Sequence, residues 1–352
     1  MKSFIISELE EEEPVKPTST SSALTKREVK AKVELGVTSK IVYMSNTATS
    51  VIRAGLYSEK NLGVHVSAAG SLENAIWNAI EIGCRSFALF IRNQRRWEAK
   101  PMDESVVDRW NKAIKETKFP LHQIVPHGSY LLNAGSPDDK KLEMTRKAML
   151  DECRRCERLG IQFYNFHPGS TTGKCTRERS IKTIAETISY VQENTDFITL
   201  VVETMAGSGN TIGGAFTELR SIIDQVHNKK RVGVCLDTCH IFAAGYDIVN
   251  NYEEVMEEFD SMIGFDFLKA VHLNDSKEGC SSKVDRHENI GKGNLGTKAF
   301  ERIMKDDRFN GIPMLLETPE GKYPQEMKLL YELEEKELPK KRRMQRADES
   351  VP

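Results

Sequence analysis

Eight short apolar segments, each followed by a longer stretch of helical periodicity, predict a single (β/α)8 barrel, an α/β fold of alternating strands and helices. Two further observations point the same way. The segments start at residues 62, 86, 123, 163, 199, 232, 268 and 313, which leaves room between them for one crossover helix and its loops. The residues best suited to hold a metal fall at the C-terminal ends of those segments, the face where such barrels carry their active sites. A doubly wound sheet is the competing architecture, but it would spread the same residues along an open edge.

Taken in order, the strands are expected at 62–67, 86–91, 123–127, 163–167, 199–204, 232–237, 268–273 and 313–318. Each is short, with β-branched or aromatic residues, and most are apolar on both faces, as strands covered by helices should be. Residues 71–82 illustrate the helices. Ser71 can cap, Leu72, Ala75, Ile76, Ala79 and Ile80 form a stripe at helical spacing, and Gly83 is a stop. Residues 144–159, 181–191 and 216–226 read similarly. Cys153 and Cys156 form a Cys-x-x-Cys inside the second of these helices, with no second pair, so helix packing is the better reading than a zinc site.

The barrel is expected over 59–335, flanked by two tails. Residues 1–58 begin with an acidic run at 8–13 and a Pro, Ser and Thr stretch at 14–22, a composition that predicts disorder. Acidic residues also interrupt the apolar start, which argues against a signal peptide, and no run approaches transmembrane length. In the tail 336–352, Lys340, Lys341, Arg342 and Arg343 form a basic cluster of the kind an import receptor reads, so nuclear localisation is expected. A start at Met44 would expose residues 45–57, with Arg53 and no acid, so a shorter mitochondrial form is a second expectation.

Composition constrains less. The 352 residues are 39% hydrophobic and 29% charged, ordinary for a globular protein, and the net charge of −2 gives no sign of a polyanionic partner. Nucleic-acid binding would have to come from a local patch and from metal ions. Seven cysteines without a framework of spacings indicate a reducing compartment.

Five of the eight histidines lie in motifs where an apolar run ends on a ligand: His127, His167, His240, His272 and His287. Glu203 and Glu317 end two further runs, and Asp237 and Asp285 stand beside His240 and His287. Neutral imidazole suits zinc and related ions, and carboxylates complete or bridge such sites. Nine ligands are too many for one ion. Two or three clustered ions would stabilise both the attacking and the leaving oxygen of a phosphoryl displacement, so phosphate-ester hydrolysis is the leading chemistry. Cys235 and Cys239 flank Asp237 and are expected to pack around the site without binding metal. His122 and His227 fit no site motif.

Six stretches, in this order, resemble the endonuclease IV family of apurinic/apyrimidinic (AP) endonucleases: Gly63-Val-His65-Val-Ser-Ala-Ala-Gly-Ser, Phe90-Ile-Arg-Asn93-Gln94-Arg95-Arg96-Trp97, Pro126-His127-Gly-Ser-Tyr130-Leu131, Asn165-Phe-His167-Pro-Gly-Ser, Cys235-Leu-Asp237-Thr-Cys-His240-Ile-Phe-Ala-Ala-Gly-Tyr246-Asp, and His272-Leu-Asn-Asp275 through Val-Asp285-Arg286-His287. The likeness runs from about Leu62 to Glu335. It implies a TIM barrel with three zinc ions per chain. His127, His167 and Glu203 would hold one, Glu203, Asp237, His272 and Glu317 a second, and His240, Asp285 and His287 the third. It further implies cleavage of duplex DNA 5′ to an abasic site in base excision repair, leaving a 3′-hydroxyl and a 5′-deoxyribose phosphate, and trimming of blocked 3′ ends. The implied attacking group is a zinc-bridging hydroxide oriented by Glu203, with no nucleophilic side chain.

DNA contacts implied by the likeness are His65, Asn93, Gln94, Arg95, Tyr130, Leu131 and Arg286, with Tyr130 and Leu131 as an apolar wedge at the opened step. Arg92, Arg96 and Trp97 share that first loop and are expected at the phosphates or the minor groove. An abasic nucleotide has no base to stack, so extruding it costs less than flipping an intact one. Thr204 and Met205 depart from bacterial relatives, which often carry an amide and a hydroxyl there, and this bears on hydrogen bonds behind the ligands. The protein is expected to act as a monomer, away from membranes. Two alternatives remain: a metal-dependent sugar isomerase or epimerase on the same barrel, and a lesion-binding protein that no longer cuts.

Overall fold

The computed structural model describes residues 46–334. Seven parallel strands form one sheet: β1 (Asn61–His65), β2 (Ser86–Ala88), β3 (Phe163–Phe166), β4 (Thr199–Glu203), β5 (Val232–Asp237), β6 (Leu268–His272) and, after a small antiparallel hairpin of β7 (Asp275–Ser276) and β8 (His287–Glu288), β9 (Pro313–Leu316). Their spatial order is β2-β1-β9-β6-β5-β4-β3. The segment expected as the strand 123–127 closes the ring between β2 and β3. Val125 N donates to Phe87 O at 3.0 Å and His127 N to Leu89 O at 2.9 Å, while Asn165 N donates to Pro126 O at 2.9 Å. It makes only isolated bridges, Phe87 with Ile124 and His127 with Asn165. A 3-10 turn at Leu121–Gln123 leads into it and Pro126 has no N–H to give, so a continuous ladder cannot form.

Helices cover the outside of the ring: α1 (Asn46–Ala54), α2 (Asn74–Glu81), α3 (Glu104–Thr117), α4 (Asp139–Arg158), α5 (Arg177–Glu193), α6 (Phe216–Gln225), α7 (Thr238–Ala244), α8 (Tyr252–Met262), α9 (Gly296–Lys305) and α10 (Tyr323–Glu334). Their starts follow from local chemistry. Asp138 accepts from Lys141 N at the head of α4, and Thr176 from Arg179 N at the head of α5, each satisfying an orphan amide. Ser71 does not cap α2. Its hydroxyl donates to Glu73, and the helix begins three residues later than its apolar stripe suggests. Cys153 and Cys156 are fully buried in α4 against the core, as helix packing requires.

One part of the expected tail is structured. Residues 46–54 form α1, which packs on α10 and buries Ala48 and Val51 completely. The reason is an apolar period too short to stand out against the polar residues before it, and it becomes stabilising only beside α10. Residues 1–45, which include the acidic run and Met44, and residues 335–352, which include the basic cluster, lie outside the described residues.

Two cores result. The larger lies between the helices and the outer face of the ring. The smaller fills the barrel with Ala88, Val125, Val201, Cys235, Ala270 and Leu315, with Phe163 against it. Strand side chains alternate inward and outward, so the residue two positions beyond each of these also points along the barrel axis. From Val125, Phe163 (by way of Asn165), Val201, Cys235, Ala270 and Leu315 this leads to His127, His167, Glu203, Asp237, His272 and Glu317. The convergence of the site is therefore a consequence of strand period and closure.

Candidate metal centre

Glu203, at the end of β4, is fully buried at the middle of the cluster. Its Oε2 lies 3.2 Å from His127 Nε2 and 3.5 Å from His167 Nε2, and its Oε1 lies 3.2 Å from His272 Nδ1 and 3.3 Å from His240 Nδ1. Glu317, just past β9, stands 3.4 Å from His272 Nδ1. Asp237 ends β5 and also caps α7 by accepting from His240 N at 2.9 Å, which fixes carboxylate and imidazole on one turn. The β7–β8 hairpin folds back over this end and brings Asp285 within 3.1 Å of His240 Nε2 and 3.3 Å of His287 Nε2.

Among the described residues four sets of atoms are placed close enough to share an ion, three of them being His127, His167 and Glu203; Glu203, Asp237, His272 and Glu317; and Asp237, His240 and His287. Within each set the ligand atoms lie within 4.8 Å of one another. The first two are the groupings expected. The third differs, since Asp237 joins His240 and His287, while Asp285 and His287 also form a set with Cys239. Cys239, expected only to pack nearby, sits at this edge because the first turn of α7 turns its thiol toward the hairpin, where Sγ donates to Arg286 O at 3.7 Å. Burial pushes that thiol up to about 12, and Asp237 adds to the effect.

The donor set fits metal ions. One nitrogen of three of the imidazoles is held by a carbonyl: His127 Nδ1 donates to Gly128 O at 2.8 Å, His240 Nδ1 to Thr204 O at 2.8 Å, and His287 Nδ1 to Glu317 O at 3.1 Å. Each bond leaves Nε2 as the free lone pair, the tautomer a ligand needs. The Nε2 atoms of His240 and His287 are buried and both face the Asp285 carboxylate, so an ion could take the place between them. Burial by itself would raise the Glu203 carboxyl, yet the imidazoles of His272, His167 and His127 hold it well below the usual range. Glu317 is likewise held down to about 2, against burial, by His272 and His127. For His127 and His240 burial works downward, and the facing carboxylates more than reverse it. Without ions, protons on imidazole balance these acids, a place that bound cations would take.

Asparagines behind the ligands form a supporting layer that the motifs do not announce. Asn165 Nδ2 donates to Glu203 Oε2 at 2.7 Å, and Asn274 Nδ2 to Asp237 Oδ2 at 2.7 Å while its Oδ1 accepts from Glu317 N. Both stand two residues from a ligand, His167 and His272, so strand alternation could have flagged them. Thr204 serves the same end: its hydroxyl accepts from Asp237 N at 2.9 Å. Asp275, in the same motif as His272, is no part of the metal sets and instead accepts from Gly293 N and Leu295 N.

The remaining site residues ring the mouth. His65 ends β1, its ring 4.5 Å from Phe90, and burial lowers its pKa to about 4, so it is a neutral imidazole outside the metal sets. Asn93 and Arg95 are exposed and Gln94 is also at the surface in the loop after β2. Tyr130 is 63% exposed, its ring edge-on to Phe90 at 5.4 Å and 5.7 Å from that of His127, with Leu131 half-buried beside it. Arg286 is exposed on the hairpin. Arg92 is different. The motif places it at the DNA with its neighbours, but its side chain is turned inward and is 5% exposed, because Asp151 and Glu152 pair with it. His122 and His227 are exposed and away from the site.

Comparison with known proteins places this arrangement. The family model described as a xylose isomerase-like TIM barrel, that of the second AP endonuclease family, matches residues 77–333. The apurinic-apyrimidinic endonuclease of Caenorhabditis elegans is 62% identical over 288 residues, 81% of this chain and 73% of that protein. A probable endonuclease 4 of Phocaeicola vulgatus is 47% identical over 276 residues, 78% of this chain and 99% of the other. Among solved structures, endonuclease IV from Thermus thermophilus superposes with a TM-score of 0.68 at 28% identity, covering 78% of this chain and 97% of that one. The chain therefore belongs to the endonuclease IV family of AP endonucleases.

Proposed function

We propose that this chain is a DNA-repair hydrolase that cuts the phosphodiester 5′ to an abasic site in duplex DNA, leaving a 3′-hydroxyl and a 5′-deoxyribose phosphate, and that also trims blocked 3′ ends. The observation that carries the proposal is the convergence of nine metal-grade ligands, sharing Glu203 and Asp237, at the C-terminal mouth of the barrel. We assign the metal as zinc, three ions per chain, held by His127, His167 and Glu203, by Glu203, Asp237, His272 and Glu317, and by His240, Asp285 and His287 with Asp237 at hand. When bound, such ions activate water near neutral pH and offset charge on attacking and leaving oxygens.

The chain's own side chains supply the rest. Glu203, central and fixed by Asn165, accepts a proton or hydrogen bond from the attacking water and orients it. Arg95, Asn93, Gln94 and Arg286 bind the backbone around the lesion, and Tyr130 with Leu131 fills the space left by the missing base. His65, neutral and half-buried, is placed to donate to the substrate without adding charge. A sugar isomerase would have no use for the third ligand set or for the exposed Tyr130, and a non-cutting binder would have no use for a complete one.

A nicking assay on duplex with one abasic analogue tests the proposal. Cleavage on its 5′ side to a 3′-hydroxyl is expected, and an intact duplex in the presence of zinc would refute it. We further propose that the chain acts as a monomer in the nucleus, reached through Lys340, Lys341, Arg342 and Arg343, which lie outside the described residues.

A further inference from the structure

Beneath the two DNA-facing loops lies a buried charged cluster that the metal sets do not touch. Glu152 on α4 has a side chain only 3% exposed, and the guanidinium of Arg92, from the loop after β2, comes within 3.5 Å of it. Arg92 Nη1 donates to the neighbouring Asp151 at 2.8 Å, and its Nη2 donates to the carbonyls of Arg96 and Trp97, bending the loop so that Arg95 and Arg96 point outward. The other Glu152 oxygen accepts from the Tyr164 hydroxyl of β3. Ser129 immediately precedes Tyr130, and its hydroxyl donates to Gln94 O at 2.7 Å. The Glu152 carboxylate thus ties the Arg95 loop to β3, and Ser129 ties the Tyr130 loop to the Arg95 loop.

Stability alone is a weak reason for such a pair, since a buried ion pair costs desolvation that apolar side chains of the same volume avoid. What the charges add is direction. The Arg92 guanidinium, held between Asp151, Glu152 and two loop carbonyls, and the Ser129 hydroxyl on Gln94 O set the two loops against each other, and Tyr130 and Arg95 must reach the same lesion from different loops. We propose that Glu152, acting through Arg92, is a positioning residue that sets the Arg95 loop, which Ser129 joins to the Tyr130 wedge, and so governs the grip on abasic duplex without entering the hydrolysis. This rests on the function proposed above.

The test is steady-state nicking of duplex with a single abasic analogue by the zinc-loaded full chain, with bound metal and melting temperature measured in parallel. Glu152→Gln and Arg92→Gln should each raise KM about tenfold and leave kcat within about twofold, with metal content unchanged, and the double variant should be no worse than the weaker single one, as expected for residues acting through each other. Ser129→Ala, which removes the link to Gln94 and the acceptor for Leu131 N but disturbs no buried charge, should raise KM by roughly threefold and decides the matter if the charged variants do not fold. A wild-type KM in Glu152→Gln or in Ser129→Ala, increases that multiply in the double variant, or a fall in kcat and metal together with the rise in KM would overturn the proposal. A wild-type chain that does not cut refutes the proposed function and this inference with it, whereas wild-type cutting with unaltered variants refutes this inference alone.

Discussion

Several residues of the cluster, Glu203, Asp237, His127, His240 and His287 among them, are held toward its centre by a neighbour, and this makes the neighbours measurable. Asn165→Ala removes the amide on Glu203 Oε2, and a loss of about 10–100-fold in cleavage or in metal affinity is expected, checked by kinetics and by metal titration. Glu203→Gln, which deletes the charge shared by two ligand sets, should lower kcat by on the order of 10³-fold or more. Arg95→Ala and Tyr130→Ala should weaken binding to abasic duplex, read by gel shift, while elemental analysis finds the metal unchanged.

The metal-free protein has its own pH signature. Burial lowers the His287 imidazole, but Asp285 and Asp237 outweigh it and the pKa rises to about 9. A folded-state pKa above the unfolded value means stability that is complete below about 6.5 and lost as pH climbs toward 9. The chelated protein should therefore melt at progressively lower temperature between those limits. The loaded protein should show the opposite trend at the acid end, because imidazole must shed its proton to bind metal. Calorimetry of both forms across that range checks the sign.

Among the elements, α1 changes how the chain's beginning is understood. Val51 is fully buried, a Cβ on Gly55 would meet the Tyr331 ring at 2.7 Å, and Arg85 donates to the carbonyls of Gly55 and Ser58 while lying 5.5 Å over that ring. Residues 46–58 are thus built into the foot of the barrel. A mitochondrial form that began at Met44 and lost residues 45–57 as a leader would forfeit this packing. Val51→Ala should cost about 2 kcal/mol, a fall of a few degrees in melting temperature with unchanged metal content. The irregular stave that bears His127 is the complementary case, held by four backbone bonds to its neighbours and by Pro126 against further pairing.

For the whole molecule, a barrel that takes its ligands from six rigid stave ends should hold metal tightly. About three zinc ions per chain should survive a brief wash with a weak chelator, as elemental analysis would show. Full dependence on added magnesium with no zinc bound would contradict the assignment. Changing Lys340, Lys341, Arg342 and Arg343 to alanine should abolish nuclear accumulation of the tagged chain. Retained accumulation would leave that cluster as solvated charge.

Strand positions, the barrel and the nine residues that converge at its mouth were legible in the chain because they are local: an apolar run, its period, and a histidine or carboxylate where the run stops. The two-residue alternation that places Glu203 beyond Val201 and His272 beyond Ala270 is a local property too. What the chain could not disclose by pattern was which groups share an ion and which way a side chain turns. Asp237 serves two ligand sets and Cys239 edges a third only because the β7–β8 hairpin folds over α7. Arg92 looks no different from Arg95 in sequence, yet one is buried on Glu152 and the other is exposed, a choice made by a helix far along the chain. Likewise α1 is a helix by virtue of α10, at the far end of the fold. Period and motif act between neighbours in the chain, whereas charge pairing and burial act between neighbours in space, and only closure of the barrel decides who those are.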